Sequence, residues 1–363
     1  MITVNELGAK LRDERVRQGW GSGEFAASAM LEVETLRSIE EGTHYPYAIE
    51  LDAVLAVLRR PLSWVDGAEL PLVMSRYAQV GTKNPSPIEY TLETVVRDIH
   101  SLMEREIVSG VARPRFDVPC THNEAAHLAN LIRRRAGIGL REPLMQLPQL
   151  CESLGLWEFA VEVNGSPGQT PGLMMEVTGP GEDNTLGIAV IDSTKFSFHQ
   201  RFVLAHELCH WLIGDDYEGG PGSPEELDTD KGRDEPLEIE EACSSFAAHL
   251  LLPDQAMSGF RTTKHKLGEV EAALEIAKTY GMGWRSTIGL LKSAGQLSGK
   301  DAGRLLAKKS ADEEIIRARI ALEPNRVSSE FLRQLHDAVD AGALSPLEAQ
   351  SYGYGVQFAD ADR

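Results

Sequence analysis

The chain has 363 residues, 42% of them hydrophobic, enough for more than one buried core, and a formal net charge of -19. Such acidity disfavours a sequence-independent hold on nucleic acid or an anionic membrane, both of which need surplus Lys and Arg. Apolar runs stay short of the ~18 residues of a membrane span, "MITVNELGAK" lacks a secretory layout, and Cys120, Cys151, Cys209 and Cys243 show no CxxC spacing, so a soluble, cytoplasmic chain without a disulfide framework is expected.

Residues 1–70 read as a domain of short helices. "VNELGAKLRDERVRQG" sets Leu7, Leu11 and Val16 among charges and stops at Gly19, and "SGEFAASAM" starts from Ser22 as N-cap. "EVETLRSIEEG" ends on Gly42, suited to a left-handed C-cap, and "YAIELDAVLAVLRRP" closes the set at Pro61. Residues 71–120 read as a linker: turn-rich "GTKNPSPIEY", the amphipathic helix "LETVVRDIHSLMEREIV", suited to a homodimer seam, then extended "RPRFDVP".

Residues 121–260 change character. Two helices, "NEAAHLANLIRRRAG" and "LMQLPQLCESLG", precede strand-like "WEFAVEVNG", "PGLMMEV" and "TLGIAVID". An apolar helix follows, then an acidic, Gly/Pro-rich loop over 215–239 able to cover a cleft, then the helix "EEACSSFAAHLLLP". Residues 261–363 look wholly helical. The fold class expected is α+β: an all-α domain, a domain with a small sheet, and a helical C-terminal region.

"RFVLAHELCHWLIG" (201–214) places His206, Glu207 and His210 in an apolar helix. Burying three ionisable side chains is costly unless something binds them. Four positions apart, His206 and His210 project from one face and can hold one Zn²⁺ at ~2.0–2.1 Å from each nitrogen. Glu207 sits where it can take the proton of a zinc-bound water, the HExxH arrangement of metalloproteases.

A catalytic zinc needs a third protein ligand and an open position. Residues 213–216 read "IGDD", which excludes the next histidine of an HExxHxxGxxH pattern. "LEIEEACSSFAAHLLLP" (237–253) is the obvious source, with Glu238, Glu240 and Glu241 ahead of an apolar face; two of the three serve only as acids at a helix N-terminus.

"RFVLAHELCHWL" and the following Glu-x-x-Cys-Ser-x-"FAAHLLLP" resemble the ImmA/IrrE family of metallopeptidases over about residues 121–260. The resemblance implies a zincin-like domain, Glu240 as third ligand when matched on Phe246, Glu207 as general base, and cleavage of a protein partner, typically a transcriptional repressor. Ser244 stands where the family carries asparagine, a departure expected to loosen the surroundings of Glu240. Cys209 and Cys243 are either small buried hydrophobes or a redox switch on metal binding. Tyr217 is a candidate to steady an oxyanion. His249, nine residues past Glu240, points to the opposite helix face and reads as structural.

"LGAKLRDERVRQGWGSGEFAASAMLEVETLRSIEEG" resembles the phage-repressor-like (XRE) helix-turn-helix, with Leu7, Leu11, Phe25, Ala26, Leu31, Leu36, Ile39 and Gly42 at core and cap positions. Its surface departs from that pattern. Glu32 and Glu34 open the recognition helix, and residues 1–70 hold 7 Lys/Arg against 12 Asp/Glu. Carboxylates repel phosphates, so any DNA contact rests on Arg37 and Ser38, with Arg37, Lys10, Arg12 and Arg15 making a local basic edge. The alternative is a module that docks a protein. The leading reading is a zinc-dependent endopeptidase that cuts a helix-turn-helix repressor to control gene expression. The competing one is a non-proteolytic DNA-binding or antitoxin-like regulator with a structural metal.

Overall fold

The computed structural model describes residues 3–17, 19–58, 60, 62–65, 87–162, 172–214, 233–307 and 326–353. Its centre is a four-stranded sheet of β1 (Leu156–Val161), β2 (Gly172–Thr178), β3 (Thr185–Asp192) and β4 (Arg326–Val327). The strand order is β2-β3-β1-β4; β1 runs parallel to β3, while β2 and β4 are antiparallel to their neighbours. Phe159 is paired with Val190 across β1 and β3, and Leu173 with Val190 across β2 and β3.

Alternation along the strands feeds two different cores. Trp157, Phe159, Leu173, Met175, Ile188 and Val190 face one side, under α6 (Pro87–Glu104) and α15 (Ser329–Asp340). Leu156, Ala160, Met174, Ala189 and Ile191 face the other, where α7 (His122–Arg135), α8 (Leu147–Ser153), α9 (Ser197–Ile213) and α10 (Ile239–Leu251) pack. The second core runs on without a break into α11 (Phe260–Leu267), α12 (Glu269–Tyr280), α13 (Trp284–Ser293) and α14 (Gly299–Leu306).

Three expectations change here. The helix expected in a linker, α6, buries Ile88, Leu92, Val95, Val96, Ile99 and Leu102 on the sheet, so the stripe that suggested a homodimer seam is covered within the chain. The region past 260 is not a separate helical unit, since α11–α14 share a core with α9 and α10. Nor is it wholly helical: two residues, Arg326 and Val327, form β4, too short to leave a periodic signal. Among the described residues no helix is long and apolar enough to cross a membrane.

Residues 3–65 form α1 (Val4–Arg17), α2 (Ser22–Ser28), α3 (Val33–Glu40), α4 (Ala48–Leu58) and α5 (Leu62–Val65) around Leu7, Leu11, Phe25, Ala26, Leu36 and Ile39; Leu31 is half-buried against them. Gly8 lets α1 approach α3 closely, because a Cβ there would lie 2.3 Å from the Ile39 carbonyl oxygen. Gly42 takes φ +70° just past α3, and its N–H donates to Ile39 O. Ser22 is the first residue of α2, with Gly21 at the N-cap, so its expected capping bond is not made.

Of the expected basic edge, Arg15 is taken into the interior, while Arg12 and Arg37 stay exposed beside acids of their own helices. Arg15 is buried, its Nε and Nη2 donating to Glu40 Oε1 and Oε2 at 2.5 and 2.8 Å, and Nη1 to Trp20 O at 2.8 Å. Lys10 Nζ donates to Trp64 O and lies 4.6 Å from the Trp64 ring centroid. Arg12 Nε is 3.6 Å from Asp13. Arg60 joins Glu14 of α1 to Glu93 of α6. Because Arg15 and Glu40 are each only 8% exposed, truncating one strands the other's charge. Arg15→Ala is expected to lower the stability of this helical unit by about 3 kcal/mol, read by urea unfolding. A change within ~0.5 kcal/mol, as for an ordinary surface site, would contradict that.

Candidate metal centre

Helix α9 has no interior Gly or Pro, and Gly214 ends it in the left-handed region at φ +65°. Every residue from Gln200 to Ile213 is buried. Trp211 anchors it: its Nε1 donates to Leu154 O at 2.7 Å, and its ring lies over Gly187 of β3, where a Cβ would come within 2.8 Å. Arg113, from the extended segment after α6, closes the C-terminal end. Its Nε donates to Trp211 O at 2.9 Å, its guanidinium stacks 4.5 Å from the Trp211 ring, and it pairs with Glu176. A cation at a helix C-terminus opposes the helix dipole favourably. Composition alone gave no reason to single out Arg113.

Helix α10 crosses α9 with residues Ala242–Leu251 all buried. Its three N-terminal acids divide. Glu238 and Glu241 form a reciprocal capping box, Glu238 N donating to Glu241 Oε2 at 2.9 Å. Glu240 turns instead toward α9. Fully buried Arg133 of α7 holds the other end of α10 through a 2.6 Å bond from its Nη1 to Leu250 O.

His206, His210 and Glu240 therefore converge. Nε2 of His206 is 3.0 Å from Nε2 of His210 and 3.2 Å from Glu240 Oε2, and His210 Nε2 is 3.9 Å from the same oxygen. Ligand atoms at ~2.0–2.1 Å around a tetrahedral ion lie about 3.3 Å apart, close to this spread. On the far side of each ring, His206 Nδ1 is 3.2 Å from Ser244 Oγ and His210 Nδ1 is 3.1 Å from Cys243 Sγ. In the tautomer where each Nδ1–H donates to its outer partner, two nitrogen lone pairs and a carboxylate oxygen face one point. That donor set suits a borderline cation and repels itself without one. Among the described residues this is the one group of three or more His, Cys, Asp or Glu side chains so arranged. Glu207, adjacent to His206, is 9% exposed.

Other candidate residues fall elsewhere. Ser244 Oγ contacts His206 Nδ1. Cys209 and Cys243 are buried and not disulfide-bonded, and Cys243 Sγ is engaged with His210. Tyr217 and the acidic stretch 215–232 lie outside the described residues. Arg37 pairs with Glu34 of its own helix at 3.1 Å, and Ser38 Oγ donates back to Glu34 O at 2.8 Å.

His249 sits on the opposite face of α10, its Nδ1 donating to Ser245 O at 2.8 Å. Arg233 Nη2 lies 3.3 Å and Asp254 3.7 Å from its Nε2, and Ser245 Oγ holds His122 on the same side. Burial pushes its pKa below the ordinary value, with Arg233 and His122 acting in the same sense and Asp254 and the Ser245 carbonyl against. As pH falls below ~6.5 the unfolded chain takes up a proton that the fold resists, so stability present above that pH is lost on acidification. His249→Gln is expected to flatten this acid limb when unfolding is followed from pH 7.5 to 5 with chelator present. An unchanged slope would place the titration elsewhere.

No curated protein and no solved structure matches the chain. Residues 174–286, from within β2 to the start of α13, match the family model of the IrrE N-terminal-like domain, Peptidase_M78. The match includes α9 and α10 and continues past residue 260 through α11 and α12, where the shared core also continues. The expected resemblance over 121–260 is thus displaced toward the C-terminus. The match covers about a third of the chain and spans both helices of the candidate centre.

Proposed function

We propose that this protein is a zinc-dependent endopeptidase that cuts one regulatory protein, a helix-turn-helix repressor, in the cytoplasm. The observation carrying this reading is the convergence of His206 Nε2, His210 Nε2 and Glu240 Oε2 on one point, beside Glu207 in the same helix. His206, His210 and Glu240 would hold the ion and leave one position open. When bound, Zn²⁺ supplies Lewis acidity, bringing the pKa of a water toward ~7 and polarising a peptide carbonyl.

The chain's own groups do the rest. Glu207 accepts a proton from the attacking water and carries it to the leaving amine nitrogen. Ser244 and Cys243 fix the two imidazoles, and Arg113 secures the end of α9. The buried walls of α9 and α10 limit water at the site. The test is to incubate the zinc-loaded full chain with the helix-turn-helix repressor encoded beside it and map fragments by mass spectrometry. Zinc-dependent cleavage at defined bonds is expected; an intact repressor would overturn the substrate assignment.

We assign residues 1–70 to an XRE-like helix-turn-helix module, with α2 and α3 as the paired helices, and favour a protein-docking role for it. Exposed Glu32 and Glu34 and the self-paired Arg37 support docking over DNA contact. A gel shift on the adjacent promoter, titrated with salt, separates the two: tight, salt-sensitive binding without proteolysis would favour the DNA-binding regulator.

A further inference from the structure

The geometry points to Cys243 and Ser244 as a pair of positioning residues that set the tautomer of the two ligand histidines and so tune metal affinity. This rests on the metallopeptidase reading above. Glu240, Cys243 and Ser244 are spaced i, i+3, i+4 and so share one face of α10. Along that face the carboxylate meets both Nε2 atoms, the thiol meets His210 Nδ1 at 3.1 Å, and the hydroxyl meets His206 Nδ1 at 3.2 Å. One helix thus supplies a third ligand and an outer partner for each of the other two.

The chemistry follows from proton placement. An imidazole that binds a cation through Nε2 carries its proton on Nδ1, and that N–H needs an acceptor in a buried site. Ser244 Oγ is a competent acceptor and Cys243 Sγ a weaker one. Both residues are buried, Cys243 at 0% and Ser244 at 4% exposure, so water does not readily replace them. Loss of such outer partners typically costs 10–100-fold in metal affinity. Fixing the tautomer in advance means that α9 and α10 meet the ion with both lone pairs already aimed.

The experiment measures Zn²⁺ affinity of the full chain by competition with a chromophoric chelator, for wild type, Cys243→Ala, Cys243→Ser and Ser244→Ala. Nitrogen-15 NMR of the zinc-loaded proteins reports the histidine tautomers. Wild type is expected to show Nδ1–H on both histidines. Cys243→Ala and Ser244→Ala are expected to bind zinc about 10–100-fold more weakly, whereas Cys243→Ser, which restores an acceptor, keeps the wild-type affinity or exceeds it. If Cys243→Ala unfolds by circular dichroism, the Ser244→Ala and Cys243→Ser arms decide. Alanine variants that bind zinc like wild type, or an Nε2–H tautomer on either histidine, would overturn the proposal and leave the peptidase reading standing. Wild type that binds no zinc would sink both.

Discussion

Glu207→Gln is expected to slow proteolysis by about 10²–10⁴-fold while leaving the metal in place. The substitution keeps the side chain's volume and one oxygen, so a site only 9% exposed meets no new cavity and no new charge. What it loses is basicity, since a neutral amide cannot take a proton from water at neutral pH. A positioned general base contributes about 10²–10⁴ in rate, and the loss should fall in that range. His206, His210 and Glu240 are untouched, so zinc per chain, measured by elemental mass spectrometry, should equal that of wild type. Repressor fragments appearing at the wild-type rate would remove Glu207 from the mechanism. Parallel loss of zinc would instead make it a structural support of the centre.

The part of this centre that was legible in the sequence is the part governed by helical spacing. His206 and His210 lie four residues apart; spacing left Glu238, Glu240 and Glu241 open, only the family resemblance singled out Glu240, and Glu238 and Glu241 do form the capping box. The three long strands were also legible, because β-branched or alternating apolar runs bounded by turn residues leave a local signal. What was hidden depends on contacts distant in sequence. Arg113 reaches α9 across 98 residues, and nothing in "RPRFDVP" announces a helix cap. Cys243 reads as a small buried hydrophobe or half of a redox switch, and neither reading announces the contact with His210 at 3.1 Å.

Arg15 misled for the complementary reason. A charge pattern reports which residues are cationic and says nothing of which are buried with a partner. Of the basic edge, Arg15 is spent in a buried pair with Glu40. The amphipathic stripe of α6 likewise specified that a partner exists without specifying that the partner is the chain's own sheet.

Metal binding should be coupled to folding, and His210 is where the coupling is most exposed to test. Its ring is fully buried between the two helices, with Nε2 3.0 Å from His206 and Nδ1 on Cys243. An ion bound there links α9 to α10, elements that the unfolded chain holds apart, so its binding free energy adds to stability. At zinc concentrations about a thousandfold above the dissociation constant, the native state should gain about 4 kcal/mol, and chelator should remove that gain. His210→Ala removes one of the three proposed ligands, and thermal unfolding of the variant should be the same with zinc and with chelator. The variant should also melt below chelated wild type, because a buried imidazole is replaced by a void lined by Cys243. Calorimetry with and without chelator tests both statements at once. A wild-type melt indifferent to chelation would mean that the convergence of the three side chains reflects packing, and a full zinc response in His210→Ala would mean that the ion is held elsewhere.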